Sequence, residues 1–362
     1  MVERRCCFAF LLSLMATMGC QSASDGGSRA DAGATYQIPS EGEPWDGPVP
    51  AGYPVWPPPY FFHFVGFENP YSIGSVYADE QYVYWTQKGY YLNRVEKSTP
   101  GTGEFYLQST VCDGSSLFFD GPWLYCLAGS AALRMDRQDP TQQTALPLDW
   151  THPSGSGFLV DEQYVYAAMP GCAAITRIDK QTLAKDVMYV DGVGFPGRGY
   201  TNLAKAGDRL VCASPVEIYL IDKWGAPATP IFPVSELFGL AVVGENAYWL
   251  EDGGDWPVIG VSPLSGGGQS LLEDQDGGFT TRILYIPSIG RLLWGDKEGL
   301  RTLDTSSNAV AKRLDIGNIL DIGFDDAYAY ASIDGVRSRT VNGRPKVEEA
   351  YWIDRVPLAD LQ

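Results

Sequence analysis

Histidine and positive charge are both scarce in this sequence. Two histidines, His63 and His152, occur in 362 residues, and 26 Lys and Arg stand against 44 Asp and Glu, giving a formal net charge of −18. These few, scattered Lys and Arg residues cannot form the basic surface that binding to a phosphate backbone requires. We therefore expect no nucleic-acid partner. Both histidines lie in loop-like contexts without a triad pattern beside them, and no CxxC spacing occurs. We therefore predict no catalytic nucleophile, no metal site and no cofactor.

Long hydrophobic runs are confined to the start of the chain. Two arginines precede the apolar residues 8–18, a stretch too short to remain as a membrane-spanning helix, which indicates an export signal. The sequence Thr17-Met18-Gly19-Cys20 resembles the lipobox of bacterial lipoproteins. That resemblance implies that residues 1–19 are removed, that Cys20 carries a lipid anchor, and, from the following Gln21, that the anchor lies in the outer membrane, on its periplasmic or its surface-exposed side. The alternative is an ordinary cleaved signal peptide with an incidental Cys20.

Residues 20–58 have a composition that does not favour a folded core. They are rich in Gly, Ser, Asp and Pro and show no hydrophobic periodicity. Such a segment cannot bury enough apolar surface to order itself. We predict that it is a flexible tether and that residues 59–362 form the folded domain.

One motif returns along the folded part. The string DEQYVY begins at Asp79 and again at Asp161, with a related segment halfway between them. Each copy is a turn of Asp, Gly or Glu followed by alternating aromatic and aliphatic residues, which predicts a β-hairpin. The first residues after these turns follow one another at intervals of 41, 41, 45, 37, 45 and 37 residues, at Tyr82, Trp123, Tyr164, Arg209, Asn246, Arg291 and Tyr328.

Each unit also carries further alternating segments, so that it supplies four antiparallel strands. Four strands in a period of about 41 residues are typical of a β-propeller blade, because neighbouring blades cover each other's faces. We predict an all-β propeller of seven blades. Six or eight blades are the alternatives, since the later copies are weaker and residues 60–67 could supply a closing strand. Over about residues 70–353 the pattern resembles YWTD and NHL propellers, and most closely the repeat lipoproteins of delta-proteobacteria such as myxobacteria.

The seven cysteines divide by location. Cys6 and Cys7 leave with the signal and Cys20 is the anchor, so four cysteines remain in an oxidising compartment. Three pairings are possible among them. We favour a bridge between Cys112 and Cys126, which flank one strand and are close in sequence. That choice leaves Cys172 to pair with Cys212 across neighbouring units.

The repeated residues are expected to serve structure before chemistry. Asp79, Asp161 and Asp325 recur in the turn, where a carboxylate can accept backbone N–H groups and hold the bend. Residues 273–278 have the oxygen density for Ca²⁺ but lack the ligand spacing of a known loop, so Ca²⁺ is a minor alternative. The recurrent aromatic residues, predicted to form the core between blades, are Tyr84, Trp85, Tyr125, Tyr166, Trp249 and Trp294.

Three tryptophans lie outside that rhythm, in Pro- and Gly-rich contexts. Trp45, Trp56 and Trp256 are therefore our candidates for binding contacts. We predict a monomeric, non-catalytic lipoprotein of the cell envelope that binds or scaffolds a protein or a carbohydrate. The alternative is an extracellular propeller lyase or hydrolase acting on polymers, with carboxylates in the central funnel.

Overall fold

The computed structural model describes the repeat region and leaves most of the N-terminal segment undescribed. The described residues are 61–62, 73–87, 91–98, 104–108, 117–128, 131–148, 157–189, 201–224, 228–234, 237–252, 257–268, 270–273, 282–297, 299–314, 316, 318–341 and 344–362. The predicted signal sequence and all of the predicted tether thus lie outside the described residues.

The described strands form seven four-stranded antiparallel sheets, which confirms the seven-bladed propeller. Blade 1 consists of β2 (Ile73–Ala78), β3 (Tyr82–Gln87), β4 (Tyr91–Glu96) and β5 (Glu104–Gln108). Blade 2 consists of β6 (Leu117–Asp120), β7 (Trp123–Ala128), β8 (Ala131–Asp136) and β9 (Gln143–Leu146). Blade 3 consists of β10 (Phe158–Val160), β11 (Tyr164–Ala168), β12 (Ala174–Asp179) and β13 (Lys185–Tyr189). Blades 4 and 5 consist of β14 (Asn202–Ala206), β15 (Arg209–Ala213), β16 (Glu217–Asp222) and β17 (Thr229–Pro233); and β18 (Leu237–Val243), β19 (Asn246–Asp252), β20 (Pro257–Pro263) and β21 (Ser270–Glu273).

The last two blades complete the ring. Blade 6 consists of β22 (Ile283–Ile286), β23 (Arg291–Gly295), β24 (Leu300–Asp304) and β25 (Ala309–Leu314). Blade 7 consists of β26 (Asn318–Phe324), β27 (Tyr328–Val341), β28 (Arg344–Pro357) and β1 (Phe61–Phe62). In this blade β1 is the outermost strand, where Phe61 pairs with Asp354 of β28. A segment from the N-terminal side of the chain therefore supplies the fourth strand of blade 7, which is the closing role suggested by the sequence for residues 60–67.

The predicted repeat positions coincide with the strand boundaries. The second strand of every blade begins at the residue that the spacing of the motif marked, from Tyr82 in β3 to Tyr328 in β27. This agreement extends to the weaker copies in blades 4 to 7. The hairpin motif is therefore the junction between the innermost strand and the second strand of a blade.

The core lies between adjacent blades. Apolar side chains of one blade pack against those of the next in a series of buried clusters. All six recurrent aromatic residues predicted for this core are buried, at no more than 3% exposure. The described helices are two short 3₁₀ turns, Pro170–Cys172 and Leu358–Leu361. In the part of the chain that the structure describes, no helix has the length and apolar character needed to cross a membrane.

Two glycines mark places where neighbouring groups leave no room for a side chain. A Cβ on Gly323 of β26 would lie 2.6 Å from the carbonyl oxygen of Val76, so the innermost strands of blades 7 and 1 approach closely there. A Cβ on Gly260 of β20 would lie 1.9 Å from the ring of Trp249. Glycine at position 323 allows the propeller to close between blades 7 and 1, and glycine at position 260 allows the indole of Trp249 to fill the space between blades 4 and 5.

Candidate functional site

The antiparallel blades place their connections on two opposite faces of the ring. Turns between the first and second strands and between the third and fourth strands share one face, which we call the turn face. The opposite face carries the turns between the second and third strands and the links between blades. Many of those connections lie outside the described residues, whereas the first turn of the turn face is described in every blade.

Aspartates hold the first turn of three blades, as predicted. Asp79 Oδ1 accepts the backbone N–H groups of Gln81 and Tyr82, both at 2.7 Å. Asp161 and Asp325 make the equivalent pairs of hydrogen bonds. These carboxylates are thus used in building the turns, which is the structural role expected from the sequence.

The residue after the third strand makes the same backbone contact in all seven blades, although in blade 7 it begins the C-terminal 3₁₀ turn Leu358–Leu361 instead of a turn to a fourth strand. The residue that follows the third strand donates its backbone N–H to a carbonyl oxygen in the first turn, as Lys223 does to Asp208 at 3.3 Å. This shared bond defines an equivalent next position, which is exposed in every blade. Its occupants in chain order are Ser98, Gln138, Gln181, Trp224, Ser265, Ser306 and Ala359.

Blade 4 departs from this pattern by placing a tryptophan where the other six blades have a small or polar residue. Trp224 is 57% exposed, the largest exposure among the big apolar side chains of the described residues. Its ring meets Tyr164 of blade 3 edge-on at 6.0 Å. Arg177 of blade 3 lies 5.2 Å from the ring centroid, and Lys223 lies 5.1 Å from it. The indole is therefore supported at the junction of two blades while much of its surface faces solvent.

Arg177 belongs to a second repeated contact of the turn face. It lies over Tyr164 at 5.0 Å and donates from Nη1 to the carbonyl oxygen of Lys223 in the next blade. Arg134 repeats the arrangement, over Trp123 at 4.7 Å and with a 2.7 Å bond to the carbonyl oxygen of Lys180. We call this unit the arginine staple, because it joins one blade to the next. Trp224 lies on the staple between blades 3 and 4.

Ion pairs around Trp224 are layered, with the cation covered and the carboxylate exposed. Lys223 Nζ lies 2.7 Å from Asp208 Oδ1, and the two side chains are 15% and 84% exposed. Lys205 pairs with Glu162, whose side chain is 85% exposed. Hydrogen bonds from these lysines hold the pKa of both Asp208 and Glu162 below its usual value. The surface beside Trp224 therefore presents ionised carboxylates to solvent.

A separate polar cluster lies on the innermost strands. Arg282 Nη1 lies 3.1 Å from Asp321 Oδ2 and 4.5 Å from the centre of the Tyr77 ring when measured from Cζ. Asp321 Oδ2 also accepts the N–H of Val76 at 2.9 Å, and Tyr77 Oη accepts the N–H of Leu117 at 2.9 Å. Burial raises the pKa of Asp321, and Arg282 opposes that rise in part. The cluster connects blades 6, 7, 1 and 2 near the axis.

The predicted site residues fall mostly outside the described part of the chain. This applies to Cys20, Trp45, Trp56, Trp256, Cys112, His63 and His152. The pairing of Cys172 with Cys212 is confirmed, with the two Cα atoms 6.1 Å apart across blades 3 and 4. Cys126 is also disulfide-bonded, while the partner predicted for it lies outside the described residues. No cluster of three or more potential metal-ligating residues occurs among the described residues, of which Glu273 is the only member of the Ca²⁺ candidate segment.

Sequence reasoning did not single out Trp224, although the signal was present. The third strands of the first four blades end in the segments VEKS, MDRQ, IDKQ and IDKW. When the four segments are aligned on their Glu or Asp, Trp224 occupies the position of Ser98, Gln138 and Gln181 in the other three. A search for large apolar residues that break a polar consensus position would have found it.

Solved structures with this architecture are numerous and chemically diverse. No family model and no curated protein sequence match the chain. Virginiamycin B lyase from Staphylococcus aureus superposes with a TM-score of 0.57 at 14% identity, covering 73% of this chain and 92% of its own. The computationally designed Ika8 protein gives 0.55 at 12% identity, covering 82% and 99%. PorZ, a surface component of the type-IX secretion system of Porphyromonas gingivalis, gives 0.54 at 15% identity, covering 77% and 38%. These similarities show the fold, and a fold hosts many functions.

Proposed function

We propose that this protein is a non-catalytic, lipid-anchored binding or scaffolding protein of the cell envelope, and that Trp224 is the centre of its binding surface. The observation that carries the proposal is the exposed indole of Trp224 at a position that a small or polar residue occupies in the other six blades. The repeat does not require this side chain, since the six other blades make the same backbone hydrogen bond after the third strand without it. An exposed tryptophan that the fold does not need is best accounted for by an intermolecular contact.

The support beneath the indole favours binding. Tyr164 meets the ring edge-on, and Arg177 and Lys223 lie beside it, so the side chain has few conformations left to lose when a ligand covers it. Tryptophan and arginine are the residues most enriched at binding hot spots, where a rigid aromatic surface is desolvated. Trp224, supported by Tyr164 and Arg177, supplies such a surface where blades 3 and 4 meet.

The cluster near the axis supports a structural role for its carboxylate. Asp321 is the one carboxylate within the described innermost strands, apart from Asp120 at the end of β6. Arg282 and the backbone N–H of Val76 both bind its Oδ2 atom. A glycosidase-type mechanism would instead use a second carboxylate facing it across the substrate. Asp321 is thus held by contacts within the fold.

The proposed location of the protein in the cell rests on the sequence around Cys20. We propose that Cys20 is lipidated and holds the propeller at the outer membrane through the segment 20–58. Replacement by Cys20→Ser removes the thiol that would carry the lipid. We expect the variant to leave the detergent-rich phase in which the normal protein partitions and to lose metabolic labelling with a fatty acid. Labelling that persists in the variant would contradict the anchor.

The binding proposal is tested by comparing two variants at equivalent positions. Trp224→Ala removes the exposed ring, whereas Gln181→Ala changes the same turn position one blade away. With the full mature chain as bait in envelope extracts, we expect a stoichiometric protein or glycan to be retained by the normal chain and by Gln181→Ala, and lost with Trp224→Ala. Retention by all three proteins would contradict the assigned surface. Turnover of envelope polysaccharide without any retained component would contradict the proposed function itself.

A further inference from the structure

We infer that the ligand of the Trp224 surface is a basic protein segment, whose lysine or arginine side chains pair with exposed carboxylates while their aliphatic parts cover the indole. This inference rests on the binding function proposed above and names the chemistry of the partner. It follows from which charges the surface offers to solvent and which charges it has already used.

The cations beside Trp224 are committed to contacts within the protein. Arg177 donates to the carbonyl oxygen of Lys223, and its other terminal nitrogen lies 3.0 Å from Asp186 Oδ2. Its side chain is 14% exposed, whereas that of Asp186 is 59% exposed. Lys223 is equally covered and bonded to Asp208. An anionic ligand would therefore have to approach through carboxylates to reach groups that are already paired.

The carboxylates retain free capacity for a ligand. An ionised carboxylate accepts hydrogen bonds at about four lone-pair sites. Glu162 and Asp208 pair with Lys205 and Lys223, yet 85% and 84% of their side chains remain exposed to solvent. A lysine or arginine of a partner can thus add to each pair from outside. The net charge of −18 attracts such a partner over a longer range.

The indole explains why the contact is local rather than a general attraction to an acidic protein. Arginine and lysine lie favourably over aromatic faces, and their methylene groups pack against apolar surface. Among the seven equivalent positions after the third strand, this contact is available on blade 4 alone. A neutral glycan could stack on the ring but would gain nothing from the rim of charges. An anionic membrane surface would be repelled by that rim.

The repeat supplies a matched control for the charges. Glu162 and Glu80 occupy the same place in the two copies of the DEQYVY string, and their side chains are 85% and 89% exposed. Glu162 lies in blade 3 beside the Trp224 surface, whereas Glu80 lies in blade 1. Glu162→Gln and Glu80→Gln therefore change the net charge equally and differ in their distance from the proposed contact.

The experiment measures binding of a labelled oligolysine peptide to the full mature chain by fluorescence anisotropy, with oligoglutamate and Gly-Ser peptides as comparison probes. We expect oligolysine alone to bind, more weakly as salt is added. Trp224→Ala should raise its Kd by about fivefold and Glu162→Gln by about threefold, and adding Asp208→Asn to Glu162→Gln should bring the increase to about fivefold. Glu80→Gln and Val310→Ala, which removes another exposed apolar side chain, should change it less than twofold.

Several outcomes would overturn the inference while leaving the binding function intact. Equal losses with Glu80→Gln and Glu162→Gln would mean that oligolysine senses net charge only. Binding of the Gly-Ser peptide, or Trp224-dependent binding of phosphatidylcholine vesicles without an effect of the carboxylates, would mean that the surface recognises a neutral ligand. Failure of oligolysine to bind would also sink it. In each case Trp224-dependent capture of an envelope component would still support the broader proposal.

Discussion

The propeller joins its blades in two different ways on opposite arcs of the ring. In blades 7, 1, 2 and 3, an aromatic residue begins the second strand and an arginine on the third strand lies over it, as in the pairs Tyr328 and Arg355 or Tyr82 and Arg94. In blades 4, 5 and 6 both positions change together. The second strand begins with Arg209, Asn246 or Arg291, and the third-strand residue is Leu220, Val261 or Thr302.

The second arc, which we call the apolar arc, keeps the apolar packing found between all these blades but lacks the arginine staple of the first arc, which we call the polar arc. Between blades 4 and 5, Phe232 stacks on the buried Trp249 with ring centroids 4.4 Å apart. Between blades 5 and 6, Tyr248, Ile283 and Trp294 belong to one buried cluster. The same backbone repeat thus forms with or without the arginine staple. The first residue of the second strand and the residue at the arginine position of the third strand differ together between the two arcs. The two arcs should respond differently to mutation.

The largest effect is expected in the apolar arc, at Gly260. Gly260→Ala places a methyl group 1.9 Å from the Trp249 ring, and that indole is fully buried. We expect the free energy of unfolding to fall by about 3 kcal/mol, at the upper end of overpacking effects. Denaturant unfolding measures this value. Adding Trp249→Leu should recover part of the loss, and additive losses in the double variant would contradict the proposed clash.

The next effect is expected where the polar arc closes, at Asp325 in blade 7. Its Oδ2 pairs with Lys97 of blade 1 and accepts a 2.7 Å hydrogen bond from Tyr330 Oη. Burial alone would raise the pKa of Asp325, but these partners and the turn N–H groups together lower it below the usual value of 3.8. Asp325→Asn should cost roughly 1–3 kcal/mol at neutral pH, since it removes charge-assisted hydrogen bonds.

This cost has a defined pH dependence. Because folding lowers the pKa of Asp325, its stabilisation is present above the unfolded value of 3.8 and is lost as the pH falls through the folded value. The stability difference between the normal chain and Asp325→Asn should therefore shrink as the pH falls below 3.8. Thermal unfolding of both proteins across acidic pH measures the difference. A constant difference over that range would exclude the charge as its origin.

A smaller effect is expected from a single staple within the polar arc. Arg134→Ala removes the bond to the carbonyl oxygen of Lys180 and the contact with Trp123. We expect a loss of about 1 kcal/mol by denaturant unfolding. Arg134→Lys should recover little of it, because lysine lacks the planar group that lies over the ring and reaches the next blade. Leu220→Ala at the equivalent position of blade 4 serves as the comparison without a staple.

Local pattern in the sequence sufficed for the blades because each hairpin encodes its own turn and strand alternation. The boundaries at Tyr82 and Tyr328 follow from the turn aspartates and the aromatic residues behind them. The cluster of Tyr77, Arg282 and Asp321 could not be predicted in this way. Tyr77 lies more than 200 residues before Arg282 and Asp321, and the three residues meet only because blades 6, 7 and 1 adjoin in the closed ring. The predicted contacts Trp45, Trp56 and Trp256 lie outside the described residues and remain predictions.

The smallest effect on stability is expected at the border of the two arcs. Trp224 lies on the last staple of the polar arc, yet it covers Arg177 from the solvent side and leaves the bond from Arg177 to Lys223 intact when removed. Trp224→Ala should therefore change the free energy of unfolding by less than about 0.5 kcal/mol. Arg177→Ala, which breaks the staple beneath it, should cost about as much as Arg134→Ala.

Stability and binding should thus separate at this border. Trp224→Ala is expected to abolish capture of the envelope partner in a protein that unfolds at the same denaturant concentration as the normal chain. A large loss of stability in this variant would show that the indole belongs to the joint between blades 3 and 4. The departure of blade 4 from the repeat would then be structural, and the argument for a binding surface would lose its starting observation.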